Sequence, residues 1–249
     1  MAAPAVTDAR RALLERLIDH AALFPPASMS VADALAEDER LRDGADGWIL
    51  GRFVVLASRV QELGDADLRL TIVLDAPLPE DPRVESIESR PGAELETLVG
   101  LAPEVYVELP LEPRNRLLPE LERLAALGLR AKFRCGGASV PSADALGAAV
   151  RRCRELGLVF KATAGLHHAR RTAGEHGFLN LLAAAVFGDE EAALATRDLC
   201  VTVDGFGWGE RIATAEEVAR VRRELFVGFG SCSVAQPIGE LRALTILPA

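Results

Sequence analysis

Short apolar runs recur along the chain with helix-forming segments between most of them, and this alternation limits the fold more than any other feature. The runs cover residues 48–56, 68–74, 84–88, 104–109, 129–135, 158–163, 199–204 and 226–229. Strands that alternate with helices build parallel sheets, and eight is the number that closes a (β/α)8 barrel. The intervening segments carry apolar residues at helical spacing: Leu117, Leu121, Leu124 and Ala125; Leu146, Ala149, Val150, Cys153 and Leu156; Val218, Val221 and Leu225. Ser142 and Thr214 are expected N-caps, and Gly128 and Gly157 expected C-terminal stops. No Ser/Gly/Pro-rich linker divides the 249 residues, so one (β/α)8 TIM-type barrel domain over 1–249 is expected, with an N-terminal helical segment at 1–46. Residues 76–83, rich in proline, are too few for a crossover helix, which needs about a dozen residues. The barrel is therefore expected to be irregular around its second and third strands. An open doubly wound sheet is the alternative.

Side chains alternate along a strand, and in a barrel the apolar set faces the helices. Placing Phe53, Val55, Ile72, Leu74, Val105, Val107, Phe133, Phe160, Ala162 and Val203 outward leaves a polar set inside. That set holds Arg52, Asp75, Glu88, Glu108, Lys132, Arg134, Lys161, Thr163 and Asp204. Most fall near the C-terminal strand ends, the rim that carries the chemistry of such barrels. So many inward charges need compensation, because isolated buried charges are costly.

The two lysines stand out within this set. Only Lys132 and Lys161 of the 28 basic residues are lysine; the rest are arginine. A guanidinium keeps its charge, whereas a desolvated amine can lose its proton and act as base, nucleophile or imine former. The pair is expected at a catalytic site. Loops 205–209 and 228–233, rich in glycine and serine, are expected to form an anion nest through Gly230, Ser231 and Ser233, where barrels commonly hold phosphate.

His167 and His168 follow the Lys161 run by a loop's length, and either can serve as acid or base. His20 and His176 read as structural. A metal alternative would use Asp75, Glu88, Glu108 and His168 around a divalent ion; otherwise no cofactor is expected. The four cysteines are widely spaced and read as reduced thiols of a cytoplasmic protein, with Cys135 and Cys232 at strand ends. Net charge is −9 and aromatics are 5% of the chain, with no basic stripe, so nucleic acid is not expected as a partner. No secretion signal is read at the N-terminus. No apolar run is long enough for a membrane span; the most apolar, 178–187, is too short. Homo-oligomerisation stays open.

Two resemblances arise from these residues. Gly51-Arg-Phe-Val-Val55, Lys132-Phe-Arg-Cys-Gly-Gly137, Phe160-Lys-Ala-Thr-Ala-Gly-Leu-His-His168, His176-Gly-Phe-Leu-Asn180 and Gly228-Phe-Gly-Ser-Cys-Ser233 resemble a widespread family of uncharacterised bacterial proteins. Separately, Lys161-Ala-Thr-Ala-Gly165 is similar to the sixth-strand segment of deoxyribose-phosphate aldolases. That likeness implies Lys161 as a Schiff-base lysine and residues 230–233 as a phosphate cradle. The aldolases have a second lysine on strand seven, where the seventh run here reads Val201-Thr-Val-Asp204. Lys132 falls instead on the fifth run, so only the class of chemistry carries over.

The expected function is a small-molecule enzyme of the aldolase or lyase type, acting through Lys161 on an oxo-compound that is anionic or phosphorylated. Lys132 and Arg134 are expected to lower the Lys161 pKa, and Glu108, Asp75, His167 or His168 to move protons. Two alternatives remain: a divalent-metal isomerase, epimerase or hydrolase, and a non-catalytic barrel binding an anionic metabolite.

Overall fold

A computed structural model describes residues 8–137 and 139–248. The segment read for a secretion signal lies largely outside them. Eight parallel strands close into a barrel: β1 (Ile18–His20), β2 (Leu50–Leu56), β3 (Leu70–Val73), β4 (Val84–Ser89), β5 (Glu104–Leu109), β6 (Arg130–Arg134), β7 (Phe160–Thr163) and, closing onto β1, the last strand at Phe226–Ser231. Between β7 and that last strand lies a separate three-stranded antiparallel sheet of β8 (Leu199–Val201), β9 (Phe206–Trp208) and β10 (Arg211–Ala213), which makes the closing strand β11. The fold is a (β/α)8-type barrel, as the alternation of runs predicts.

The helices are α1 (Ala9–Leu14), α2 (Val31–Arg42), α3 (Arg114–Leu127), α4 (Ala143–Leu156), α5 (Phe178–Phe187), α6 (Glu190–Ala195), α7 (Ala215–Glu224) and α8 (Ala235–Ala243). Local chemistry sets their ends. The Ser142 hydroxyl accepts from the Ala145 amide, and Thr214 with Glu217 forms a reciprocal capping box. Gly128 and Gly157 end α3 and α4 in the left-handed conformation that glycine adopts without steric cost.

The outward parity holds where it matters. Phe133, Phe160 and Phe226 stand on the adjacent strands β6, β7 and β11 as a fully buried row, with successive ring centroids 5.5 and 5.1 Å apart. Burying each such ring contributes roughly 1.5–3 kcal/mol. Asn180 is the polar break in the buried helix α5. Its Oδ1 accepts from the Arg171 amide and its Nδ2 donates to the carbonyls of Ala193 and Thr196.

Three expectations change. The N-terminal segment is not all helical, because it contains the first barrel strand, β1. That strand is only three residues long, too short for periodicity to reveal. Run 199–204 is not a barrel strand, since β1 already fills the eighth place. Its first half, β8, pairs antiparallel with β9 in a hairpin whose two-residue loop is Val203-Asp204, closed by the Thr202 amide donating to the Gly205 carbonyl at 2.9 Å. The third run is a true strand, and the irregularity lies in the connections around it. Residues 74–83 join β3 to β4 with no helix, while 3-10 turns at Ala57–Leu63 and Leu95–Leu98 replace helices after β2 and β4. Among the described residues no helix is long and apolar enough to cross a membrane.

Candidate active site at the C-terminal mouth

A chain of alternating charges runs through the barrel. Lys161 Nζ lies 2.6 Å from Asp19 Oδ2 on β1 and 2.6 Å from Glu88 Oε1 on β4. The other Glu88 oxygen receives Lys132 Nζ at 2.6 Å, and Lys132 also lies 2.9 Å from Glu108 Oε2. Glu108 in turn accepts from Arg134 Nε at 3.3 Å. The strand register dictates this order, because Lys132 is paired with Lys161 across β6 and β7, and Glu108 with Lys132 across β5 and β6. Three carboxylates offset three cations, so the interior holds its charges without a net surplus.

The electrostatics differ from expectation. Burial by itself disfavours the Lys161 ammonium, but the carboxylates of Asp19 and Glu88 outweigh it and raise its pKa above the ordinary lysine range. Lys132 and Arg134 therefore do not lower it as anticipated; the two carboxylates that decide the sign are nearer. Burial works against the Glu88 carboxylate too, yet Lys132 and Lys161 hold its pKa down at about 2. Beneath Lys161 the Tyr106 ring sits 5.3 Å from the ammonium, a favourable cation–π distance.

Above this chain opens a cavity of about 660 Å³. Lys132 and Glu88 form its floor, Glu108, Arg134 and Thr163 one wall, and Phe24, Pro25 and Pro26 of the β1–α2 loop another. Lys161 is 2% exposed and belongs instead to a second cavity at the opposite, N-terminal end. The two amines share a carboxylate, not a cavity. The loops after β6 and β7 cross at the mouth through Gly136 and Gly165. A Cβ on either would come within 2.5 Å of the other's Cα, which explains glycine in both motifs. Gly230 is different: a Cβ there would meet only Thr163 Oγ1 at 3.5 Å, so its missing side chain widens the cavity.

Of the anticipated residues, Glu88, Glu108, Lys132, Arg134, Thr163, His167, Gly230 and Ser231 line this cavity. Arg52 faces inward but at the N-terminal end, beside Glu85 and Glu104. Asp75 lies past the end of β3, exposed, where it accepts from the Ser58 amide and hydroxyl. Those donors hold its pKa below the usual carboxylate range. His168 does not itself line the cavity; it pairs with Glu240 and lies 3.6 Å from Glu175, which does. Asp75 and His168 thus stand apart from Glu88 and Glu108, and among the described residues no group of three or more His, Cys, Asp or Glu is placed to hold a metal ion.

Asp204 is exposed in the outer hairpin, and loop 205–209 is part of that hairpin rather than the mouth, so the anion nest loses half of its expected backbone. The presence of β1 is the cause, since it fills a barrel position and displaces the seventh apolar run. Ser233 lies beside Ser231, with its amide donating to the Ser231 hydroxyl, but does not line the cavity. Burial raises the Cys135 thiol to about 12, which removes it as a nucleophile; Cys232 does line the cavity. His20 packs its ring against Phe53 and bonds to Asp38, and His176 bonds to the Pro141 carbonyl, both structural as read.

Sequence reasoning missed Asp19, Arg90 and Glu175. Asp19 was hidden with β1, although Leu17-Ile-Asp-His20 is an apolar dipeptide followed by a polar pair. Its position depends on Gly51, where a Cβ would fall 2.2 Å from Asp19 Oδ1. The same oxygen accepts from the Arg52 amide at 2.7 Å. Gly51→Ala is therefore expected to destabilise the protein by about 1–3 kcal/mol, the usual range for overpacking, in urea unfolding. An unchanged midpoint would show that Asp19 can move without loss. Compared with known proteins, the chain matches no family model and no curated protein.

Proposed function

We propose that the protein is an aldolase- or lyase-type enzyme that forms a Schiff base with a small anionic oxo-compound through Lys132, with Lys161 as the fixed positive charge beside it. One observation carries this reading: two lysines share Glu88 at the centre of the barrel, and only Lys132 reaches the C-terminal cavity. With β1 counted, Lys132 stands on the sixth barrel strand and Lys161 on the seventh. Those are the strands that carry the lysine pair in the deoxyribose-phosphate aldolases, so the roles assigned from the local motif are exchanged.

The chemistry rests on the contacts. The Lys132 ammonium passes a proton to Glu108, its 2.9 Å neighbour, and the freed amine attacks the substrate carbonyl carbon. The resulting carbinolamine loses water to give an iminium ion. His167 takes the proton of the substrate's β-hydroxyl, and the Cα–Cβ bond breaks with its electron pair moving into the iminium, to leave an enamine and a free carbonyl compound. Return of that proton to the enamine carbon, followed by hydrolysis, releases the second product and the amine. Lys161, held protonated by Asp19 and Glu88, keeps a fixed positive charge next to Lys132. Arg90 and Arg134 stand at the cavity and suit a carboxylate or phosphate on the substrate. His167 is a further proton carrier within the cavity. Four free cysteines support a reducing compartment, the cytoplasm.

Borohydride added with each of a panel of small aldehydes, ketones and 2-oxo acids tests the reading. A stable mass increase on the peptide containing Lys132 is expected, and Lys132→Arg should remove it. An adduct on Lys161 would restore that residue as the nucleophile. No adduct across the panel, together with turnover that requires an added divalent ion, would favour the metal chemistry. Saturable binding without turnover would favour a binding protein.

A further inference from the structure

The second cavity, about 320 Å³ at the N-terminal end of the barrel, is built differently from the mouth. Six cationic side chains line it: Arg16, Arg52, Arg130, Lys161, Arg222 and Arg223. Only two carboxylates, Asp19 and Glu104, stand among them, in a chain whose net charge is −9. Four of the cations are already paired. Arg16 and Arg52 meet Glu85, Arg52 and Arg130 meet Glu104, and Lys161 meets Asp19.

Arg222 and Arg223, at the end of α7, make no ion pair among the described residues. Arg222 is the telling one. It is 8% exposed, donates through Nη1 to the Phe226 carbonyl at 2.9 Å and through Nη2 to the Glu15 carbonyl at 3.0 Å, and its buried Nε has no partner among the described residues. Burial lowers the pKa of this guanidinium, to about 10, whereas the paired Arg52 beside it is raised by Asp19 and Glu104 against the same burial. A buried cation with an unsatisfied donor is expensive unless an anion completes it. Guanidinium forks match the oxygens of phosphate and carboxylate groups, and a cavity with a surplus of positive charge concentrates anions.

We infer that the N-terminal cavity is a second ligand site, taking a compact, multiply charged oxyanion held by Arg222 and Arg223. The site faces the other end of the barrel from the mouth and shares only Lys161 and Asp19 with the charge chain, while its unpaired arginines do not touch the upper cavity.

Isothermal titration at constant ionic strength, with pyrophosphate and citrate as probes, tests it. Saturable binding of at least one is expected in the wild type. Pyrophosphate alone would assign a phosphoryl ligand and citrate alone a polycarboxylate. Arg223→Glu, on the exposed side of the pair, should weaken binding at least tenfold while leaving the fold intact, and Arg222→Met should do likewise. Arg134→Ala, at the mouth, should change it less than twofold. The inference is overturned if neither probe binds saturably, if sodium chloride at matched ionic strength gives the same heat, or if Arg134→Ala removes binding that Arg223→Glu leaves intact.

Discussion

Glu88→Gln is expected to lower the unfolding free energy by about 3–5 kcal/mol at pH 7, the cost of breaking a buried ion pair by removing one partner. Among the described residues Glu88 is the only carboxylate that both lysines share, and its loss leaves two buried ammonium groups with one fewer negative charge between them. The pH dependence has a definite sign. The folded-state pKa of Glu88 lies at about 2, below its ordinary value of 4.5. A depressed carboxyl stabilises the folded state fully above the unfolded pKa and loses that contribution as pH falls through the folded one. A shift of this size is equivalent to about 3 kcal/mol. The gap between wild type and variant in urea unfolding should thus be constant from pH 7 to about pH 5, then narrow at lower pH. A gap under about 1 kcal/mol at neutral pH, or one that does not change with acid, would show that Glu88 is not the keystone of the charge chain. Combining Glu88→Gln with Lys161→Met should recover part of the loss, because the second change removes one of the stranded cations.

Lys132→Arg is expected to reduce turnover of the trapped oxo-compound roughly 10³-fold or more, about 4 kcal/mol of barrier, since a guanidinium keeps the charge but not the nucleophile. Lys161→Arg should cost much less, because a fixed cation between Asp19 and Glu88 is retained. The separation shows in kcat rather than KM if the amine acts in the chemical step. Lys132→Ala supplies a further check: added methylamine should restore a measurable rate by occupying the vacated space. An active Lys132→Arg enzyme beside an inactive Lys161→Arg enzyme would return the nucleophile role to the lower lysine.

The strands and the parity of their side chains were readable because both depend on local periodicity. Phe133 and Phe160 had to face helices, so Lys132 and Lys161 had to face in. What periodicity does not encode is which run is first. β1 has three residues and comes after a six-residue helix, so nothing repeats long enough to register. Missing it moved every later strand down by one, put Asp204 inside the barrel and hid Asp19. The Asp204-Gly205 dipeptide between two short apolar runs was the available warning, since Asp-Gly in such a place favours a tight hairpin over a crossover, although the loop itself falls one residue earlier. The sign of the Lys161 shift was also out of reach, because it is set by carboxylates on strands far away in sequence.

The barrel closes where its first strand meets its last: Ile18, Asp19 and His20 pair with Phe229, Gly230 and Ser231. Asp19 reaches Lys161 across that seam, so the charge chain is complete only once β11 has been synthesised and docked. Until then Lys161 has a single carboxylate, and β1 and β7 expose unpaired edges. Lys132 needs no such closure, since Glu88 and Glu108 stand on β4 and β5, so the seam completes the surroundings of Lys161 alone. Closing the barrel is therefore a step that depends on a contact distant in sequence, the kind that forms slowly.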